Sequence, residues 1–266
     1  MLNKDNPLEN QTDAYKPAAI AARVEATGIA KANLSVTQLF ILSIMAGAFI
    51  AFGALFYTLV VSDSTLGAGP TRLIGGMAFS VGLILVVIAG GELFTGNSLM
   101  VVAWLDGKLS RTHLLRNWGI VYIGNFVGAI AVAFLVILSG MLSTDAMSET
   151  AAQIAKAKLS LTMTEALFRG ILCNILVCLA VWMSFAAHTV SGKVMVIVPP
   201  IAAFVAIGFE HSVANMYVIP LAMFGGVTPY DLVGFFENLV IVTIGNVLGG
   251  GVFVGAAYWA VYLRSN

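Results

Sequence analysis

Gly208-Phe209-Glu210-His211-Ser212-Val213-Ala214-Asn215 sets a glutamate, a histidine and an asparagine inside one apolar run, Val194 to Leu221. The run is long enough to cross a bilayer, and ionisable groups at that depth are costly and tied to function. A second stretch, Gly91-Glu92-Leu93-Phe94-Thr95-Gly96-Asn97, lies inside the apolar run Leu73 to Leu105. Both contain Glu-x-x-x-x-Asn: Glu92 with Asn97, and Glu210 with Asn215. They read as two halves of one site.

The 266 residues are 59% hydrophobic and 10% charged, with a mean hydropathy of +0.96. That composition describes an integral membrane protein. The apolar runs are long and unbroken, which selects helices over a β-barrel. A net charge of zero leaves nucleic-acid binding without electrostatic support. Cys173 and Cys178 both lie in an apolar run and read as small helix residues, not a disulfide. The polar start, Met1 to Pro7, is not that of a cleavable signal peptide. There is no His-Glu-x-x-His and no Gly-x-Ser-x-Gly, so the chain is not read as an enzyme and no metal or cofactor is expected.

In chain order, residues 1–15 are polar and expected to be disordered. Lys16 to Asn33 is helical in pattern but too short and too charged to span, so an amphipathic surface helix is expected there. Residues 1–33 thus form an N-terminal unit and 34–266 a transmembrane domain. The expected spans are Leu39–Val61, Leu73–Leu105, Trp118–Met141, Ala166–Ala187, Val194–Leu221 and Leu239–Leu263. The second exceeds one spanning helix and carries Gly90, Gly91 and Gly96, which predicts two half-helices. The fifth is expected to be kinked by Pro199-Pro200 and broken near Gly208. Polar loops are expected over Asp106–Asn117 and Leu142–Thr164. With the N-terminus cytoplasmic, that side receives Lys4, Lys16, Arg23, Lys31, Lys108, Arg111, Arg116, Lys193 and Arg264. The other side receives only Arg72, Lys156, Lys158 and Arg169. The asymmetry puts both termini inside.

Ile123-Gly124-Asn125-Phe126-Val127-Gly128 recurs as Ile244-Gly245-Asn246-Val247-Leu248-Gly249. The glutamates are offset by 118 (92 to 210) and these asparagines by 121 (125 to 246). Each repeat then holds three spans, an odd number, so the second is inverted. The fold class is all-α: six transmembrane helices as two inverted three-helix repeats, about 34–141 and 160–264, with the second and fifth broken. Such repeats point to a transport path at the bilayer midplane.

Irregular backbone at membrane depth needs surrounding protein or a cavity, and half-helix N-termini suit a small anion. Thr95 and His211 supply further hydrogen-bonding groups. His211 is the one histidine expected deep in the membrane, and its ordinary pKa lies near physiological pH, so it could pass a proton to a weak-acid anion. Glu92 and Glu210 are expected to cap or pin backbone, because ionised carboxylates would repel an anion. Phe79, Leu83, Phe94, Phe204 and Phe209 flank the breaks, as packing or as hydrophobic collars. Asn125, Asn174 and Asn246 are amides inside spans that bond between helices. Lys158 could draw anions towards a pore mouth.

These residues resemble the formate–nitrite transporter family. The likeness rests on Gly90 to Asn97, Cys173 to Trp182, Gly208 to Met216 and Thr243 to Asn246, and runs from about Lys31 to Arg264. The string Gly-Phe-Glu-His-Ser-x-Ala-Asn-Met is the most specific part. The resemblance implies an aquaporin-like fold, a homopentamer in the inner membrane and one pore per protomer. It implies His211 and Thr95 at the centre, a cytoplasmic constriction at Phe79 and Leu83, and an outer one at Phe204. Lys158 matches the vestibule lysine, and Asn174 and Asn246 the pore asparagines, with Glu210 beside the path. The N-terminal helix, linked to gating in the family, corresponds to Ala18–Asn33. Gly91-Glu92 and Gly96-Asn97 stand where some formate channels carry Ala-Asp and Ser-Thr, which leaves the preferred anion open. Formate is the first expectation, with protons as coupled partners, and nitrite, hydrosulfide, acetate and lactate as alternatives. A neutral-solute pore is a further one.

Overall fold

The same caps recur at matching places in the two halves of the chain, and they set where its helices begin. In the computed structural model, which describes residues 14–264, Ser35 and Gln38 form a capping box at the start of one helix. Thr162 and Glu165 form the same box at the start of another. Each satisfies backbone groups that a helix end leaves open. Ser110 and Asp231 then cap a second matched pair of helices, accepting from the N–H of His113 and Gly234.

We number the helices α1 Pro17–Ala32, α2 Val36–Val61, α3 Ala68–Gly90, α4 Phe94–Leu105, α5 Arg111–Leu138, α6 Asp145–Leu159, α7 Met163–Ser184, α8 Val190–Ile207, α9 Ser212–Phe224 and α10 Leu232–Tyr262. Six of them (α2, α3, α5, α7, α8 and α10) are long and apolar enough to cross a membrane. The chain is a multi-pass membrane protein. Helices α4 and α9 are the half-helices that follow the two breaks. The last turn of α3 (Val86–Gly90) and the stretch Leu248–Ala256 of α10 are wound as π-helix.

Three expectations change. The polar stretch Leu142–Thr164 is largely the helix α6, whose Met147, Ala151 and Ala155 are buried at four-residue spacing and make one stripe. Helix α5 starts at Arg111, seven residues earlier than expected, because the Ser110 cap lets polar residues enter the helix. Of residues 1–15, only Ala14 and Tyr15 are among the described residues, and both are held. Ala14 bridges Ala187, and the Tyr15 N–H donates to the Ala186 carbonyl at 3.0 Å. The rest of that expectation lies outside the described residues.

The two halves pack alike. Helix α2 lies on α3 and α5 as α7 lies on α8 and α10. Gly124 and Gly128 let α5 approach the backbone of α2, and Gly245 and Gly249 let α10 approach that of α7. Such close approach is how helices associate in lipid, where apolar burial drives little. The half-helices cross over: α9 packs on α5 and α2, and α4 packs on α7 and α10. That exchange brings both breaks to the middle of the molecule. Large apolar side chains such as Leu138, Leu135 and Met195 stay exposed on the outer faces, as surfaces meant for lipid or a neighbouring copy do.

Candidate functional site

Each break begins with a glycine in the left-handed region, Gly90 (φ +95°) and Gly208 (φ +87°), which other residues enter only at a cost. The extended residues that follow have no ladder to join, and one asparagine serves each. Asn125 donates through Nδ2 to the carbonyls of Ser43 (2.7 Å) and Glu92 (2.9 Å) and accepts the Phe94 N–H (2.9 Å). Asn246 does the same for Gly170 (2.8 Å), Glu210 (2.9 Å) and Ser212 (2.9 Å). Both amides are buried. They supply what irregular backbone in an apolar medium otherwise lacks.

The glutamate side chains take a different role from the expected one of pinning backbone. Glu92 accepts from Lys31 Nζ (2.7 Å) and Asn97 Nδ2 (2.7 Å). Asn97 also donates to Asn117, which donates back to the Lys31 carbonyl. Glu210 accepts from Lys158 Nζ (3.0 and 3.1 Å) and Asn215 Nδ2 (2.7 Å). Asn215 donates to Asn238, which donates to the Lys158 carbonyl. The two networks correspond bond for bond. One difference stands out: Lys31 also reaches Asn97 Oδ1 (2.9 Å), whereas Asn215 Oδ1 is buried and has no partner among the described residues. Each carboxylate is therefore neutralised locally, so neither presents an uncompensated negative charge to a passing anion.

At the centre, Thr95 of one break meets His211 of the other, with Oγ1 and Nε2 2.9 Å apart. His211 also caps α9, its Nδ1 accepting the Ala214 N–H at 3.1 Å. That bond assigns the tautomer: Nδ1 bears the lone pair and Nε2 the proton. Nε2–H then donates to Thr95, leaving the threonine hydroxyl hydrogen free to point elsewhere. Phe204 stacks on the His211 ring at 6.0 Å, and Phe79 meets Phe204 edge-on at 5.5 Å. Phe79, Leu83, Phe204 and His211 line a void of 10 Å³, about the least that holds one water. The space between the two breaks is pinched to that void. Phe94 lies away from this pinch, with its ring against Tyr122 and Trp118.

A larger cavity of 360 Å³ opens on the α1 side of the pinch, with Arg23, Lys31, Lys193 and Glu92 on its walls. Helix α1 forms one wall and is tied down by charge. Lys108 bonds Glu25 (2.8 Å) and Asp106 (2.9 Å), and Trp259 Nε1 donates to Asp106 (3.0 Å). The bonds to Glu25 and Asp106 hold the Lys108 ammonium above its ordinary range. Lys108 in turn holds Asp106 below its own. Burial pushes Glu25 up, against the pull of Lys108.

Of the residues singled out from sequence, His211, Thr95, Phe79, Leu83 and Phe204 come together at the pinch, and Lys158 joins Glu210. Asn174 is buried beside Thr95, donating to its carbonyl (3.1 Å) and to that of Asn246 (2.6 Å). The side chain of Asn246 makes all three of its hydrogen bonds to backbone. Sequence reasoning missed Asn117, Asn238 and the pairing role of Lys31. A repeat search carried upstream would have found the lysine, since Lys31, Ser35 and Gln38 recur as Lys158, Thr162 and Glu165 at a constant offset of 127.

Comparison with known proteins gives matches along most of the chain. A family model described as formate/nitrite transporter matches residues 18–260. The chain is 40% identical to the formate channel FocA of Escherichia coli (strain K12), over 100% of this chain and 99% of that one. It is 42% identical to a probable formate transporter of Methanothermobacter thermautotrophicus, over 93% and 97% of the two chains. Among solved structures, a pentameric formate channel with formate bound superposes with a TM-score of 0.80 at 42% identity, covering 86% of this chain and 98% of that one. An FNT family ion channel superposes with a TM-score of 0.85 at 34% identity, covering 91% and 98%.

Proposed function

The chain belongs to the formate/nitrite transporter family, and from that membership we propose that it carries small monovalent anions, formate first, along the seam between its two halves. It is a transporter, not an enzyme. It works as a homopentamer with one path per protomer, as in the similar pentameric channel, and the exposed apolar faces of the helices suit that assembly. It sits in the inner membrane with both termini cytoplasmic, a placement supported by nine Lys and Arg on that side against four on the other.

The observation that carries the reading is the Thr95–His211 contact, which joins the two breaks beside the small void lined by Phe79, Leu83 and Phe204. Lys31 and Lys158, one at each half's break, cancel the glutamate charges that would otherwise repel an anion. Arg23 and Lys193 on the wall of the α1-side cavity add positive charge there and raise the local concentration of anions. Beyond them the aromatic collar of Phe79 and Phe204 admits only a compact ion stripped of water, or its neutral acid. Thr95 and His211 then offer hydrogen-bond donors in place of the lost hydration. Neutral His211 does this through Thr95: its Nε2–H donates to Oγ1, which frees the threonine hydroxyl hydrogen for the anion. Gaining a proton at Nδ1 sets two N–H groups against each other at Ala214, so His211 takes up a proton only as its cap on α9 opens. Proton handling and the local fold of the break are thereby linked.

The test is competition. Radiolabelled formate uptake by proteoliposomes containing the purified protein is measured alone and with excess nitrite, hydrosulfide, acetate or lactate. Saturable formate uptake that the other anions reduce weakly supports formate as substrate. Uptake of a competitor with no formate movement would reassign the substrate within the family, and passage of glycerol instead would end the anion reading.

A further inference from the structure

Beyond the extra Lys31–Asn97 bond, the two halves differ around Thr95. The shared caps place α2 and α7 at an offset of 127 (Ser35 to Thr162), so Asn174 and Cys178 correspond to Gly47 and Ala51. The offset of 121 between α5 and α10 makes Gly250 the counterpart of Ala129, and the offset of 118 between breaks makes Val213 that of Thr95. Three small or apolar positions in one half are thus an amide, a thiol and a glycine in the other. All three converge on one peptide. Cys178 Sγ donates to the Thr95 carbonyl at 3.3 Å and Asn174 Nδ2 at 3.1 Å. That carbonyl also accepts the Ser98 N–H of its own turn. Among the described residues no side chain donates to the carbonyl of Val213. Gly250 sits in the π-wound part of α10, and a Cβ there would meet Asn174 Nδ2 and Cys178 Sγ, each at 2.5 Å. π-Turns inside helices collect at functional sites, and this one clears the space in which both donors stand.

We propose that Cys178 is a positioning residue of the anion path: with Asn174 it fixes the Thr95 peptide from the opposite half and so aims the Thr95 hydroxyl at His211. Threonine is stiff about χ1, so the orientation of its peptide decides where Oγ1 points. The thiol suits this place because it is a weak donor that behaves otherwise as a small apolar group. It sits fully buried on the apolar face where α7 meets α10 and α4. Cys173, on the same helix and equally buried, makes no hydrogen bond among the described residues and serves as the control. The inference rests on the transport reading given above.

Two measurements decide it. The chain has two cysteines, so Cys173→Ala leaves Cys178 as the only thiol and Cys178→Ala leaves Cys173. In the infrared spectrum, the S–H stretch of the Cys173→Ala protein is expected at lower frequency than that of the Cys178→Ala protein. Equal frequencies would overturn the hydrogen bond whatever the transport result. In proteoliposomes, formate flux per folded pentamer is expected to fall about 3- to 10-fold in Cys178→Ala, the loss of one neutral hydrogen bond. It should return to within about twofold in Cys178→Ser, which keeps a donor, and stay at the wild-type level in Cys173→Ala. Unchanged flux in Cys178→Ala, or an equal fall in Cys178→Ser, would overturn the positioning role. Absence of formate flux in the wild type would instead count against the transport reading, and the infrared comparison alone would then decide the bond.

Discussion

His211 is asked to do two things, to cap α9 through Nδ1 and to reach Thr95 through Nε2, and substitution separates them. Asparagine retains an acceptor for the Ala214 N–H but is too short for Thr95, whereas glutamine reaches further and caps poorly. His211→Asn is therefore expected to keep its thermal midpoint near wild type and lose about tenfold or more in flux, the value of a buried hydrogen bond made to the passing ion. His211→Gln should lose stability first, by about 1 kcal/mol for the cap. A scan of thermal midpoint beside flux for the two variants checks the split. The lysine networks give a second expectation. Lys158→Met strands Glu210, a nearly buried carboxylate, and should cost about 3 kcal/mol. Adding Glu210→Met should recover most of that cost, measured as a double-mutant cycle on unfolding of the solubilised protein. At this scale His211 and the glutamates were legible, because ionisable groups stand out in an apolar run, and Thr95 because it lies between Glu92 and Asn97 of the first motif. The tautomer and the partners Asn117 and Asn238 were not, because each depends on contacts between residues far apart in the chain.

Among the elements, the breaks and helix α1 carry the consequences. Gly208 has φ +87° and open space where a side-chain methyl would stand, so Gly208→Ala tests backbone conformation alone. It should destabilise by about 1–2 kcal/mol, visible as a lower thermal midpoint, and Gly90→Ala should match it. The tether on α1 makes its docking depend on pH at both extremes. Lys108 is held above its ordinary 10.5, so its contribution is complete below that value and is lost as pH rises through the raised one. Asp106 is held below its ordinary 3.8, so its contribution is complete above that value and is lost as pH falls through the lowered one. Glu25 is raised above 4.5 by burial, so protonating it relieves a cost and does not release the helix. Spin labels on α1 and α10 are expected to keep their distance across mildly acidic and neutral pH and to separate only beyond those limits. Length and apolarity made the six spans legible. They concealed α6, whose buried stripe is mostly alanine, and the true start of α5, where a serine cap outweighs a run of polar residues.

For the molecule as a whole, everything turns on exchange between the halves. Each half-helix packs on the opposite half, each break is held by one asparagine, and the centre takes Thr95 from one and His211 from the other. The repeat was visible in two short motifs. Its extension to the caps was not, because serine with glutamine and threonine with glutamate are different letters doing the same job. The most direct measurement is formate uptake into proteoliposomes by wild type, Thr95→Val and His211→Asn, each confirmed as a folded pentamer, at neutral and at mildly acidic pH. Saturable, pH-dependent uptake is expected of the wild type, with a fall of about tenfold or more in both variants. The double variant should be hardly worse than either, since the two side chains act on one ion at one place. Wild-type rates in both single variants, with the pH dependence intact, would contradict a central role for the Thr95–His211 pair.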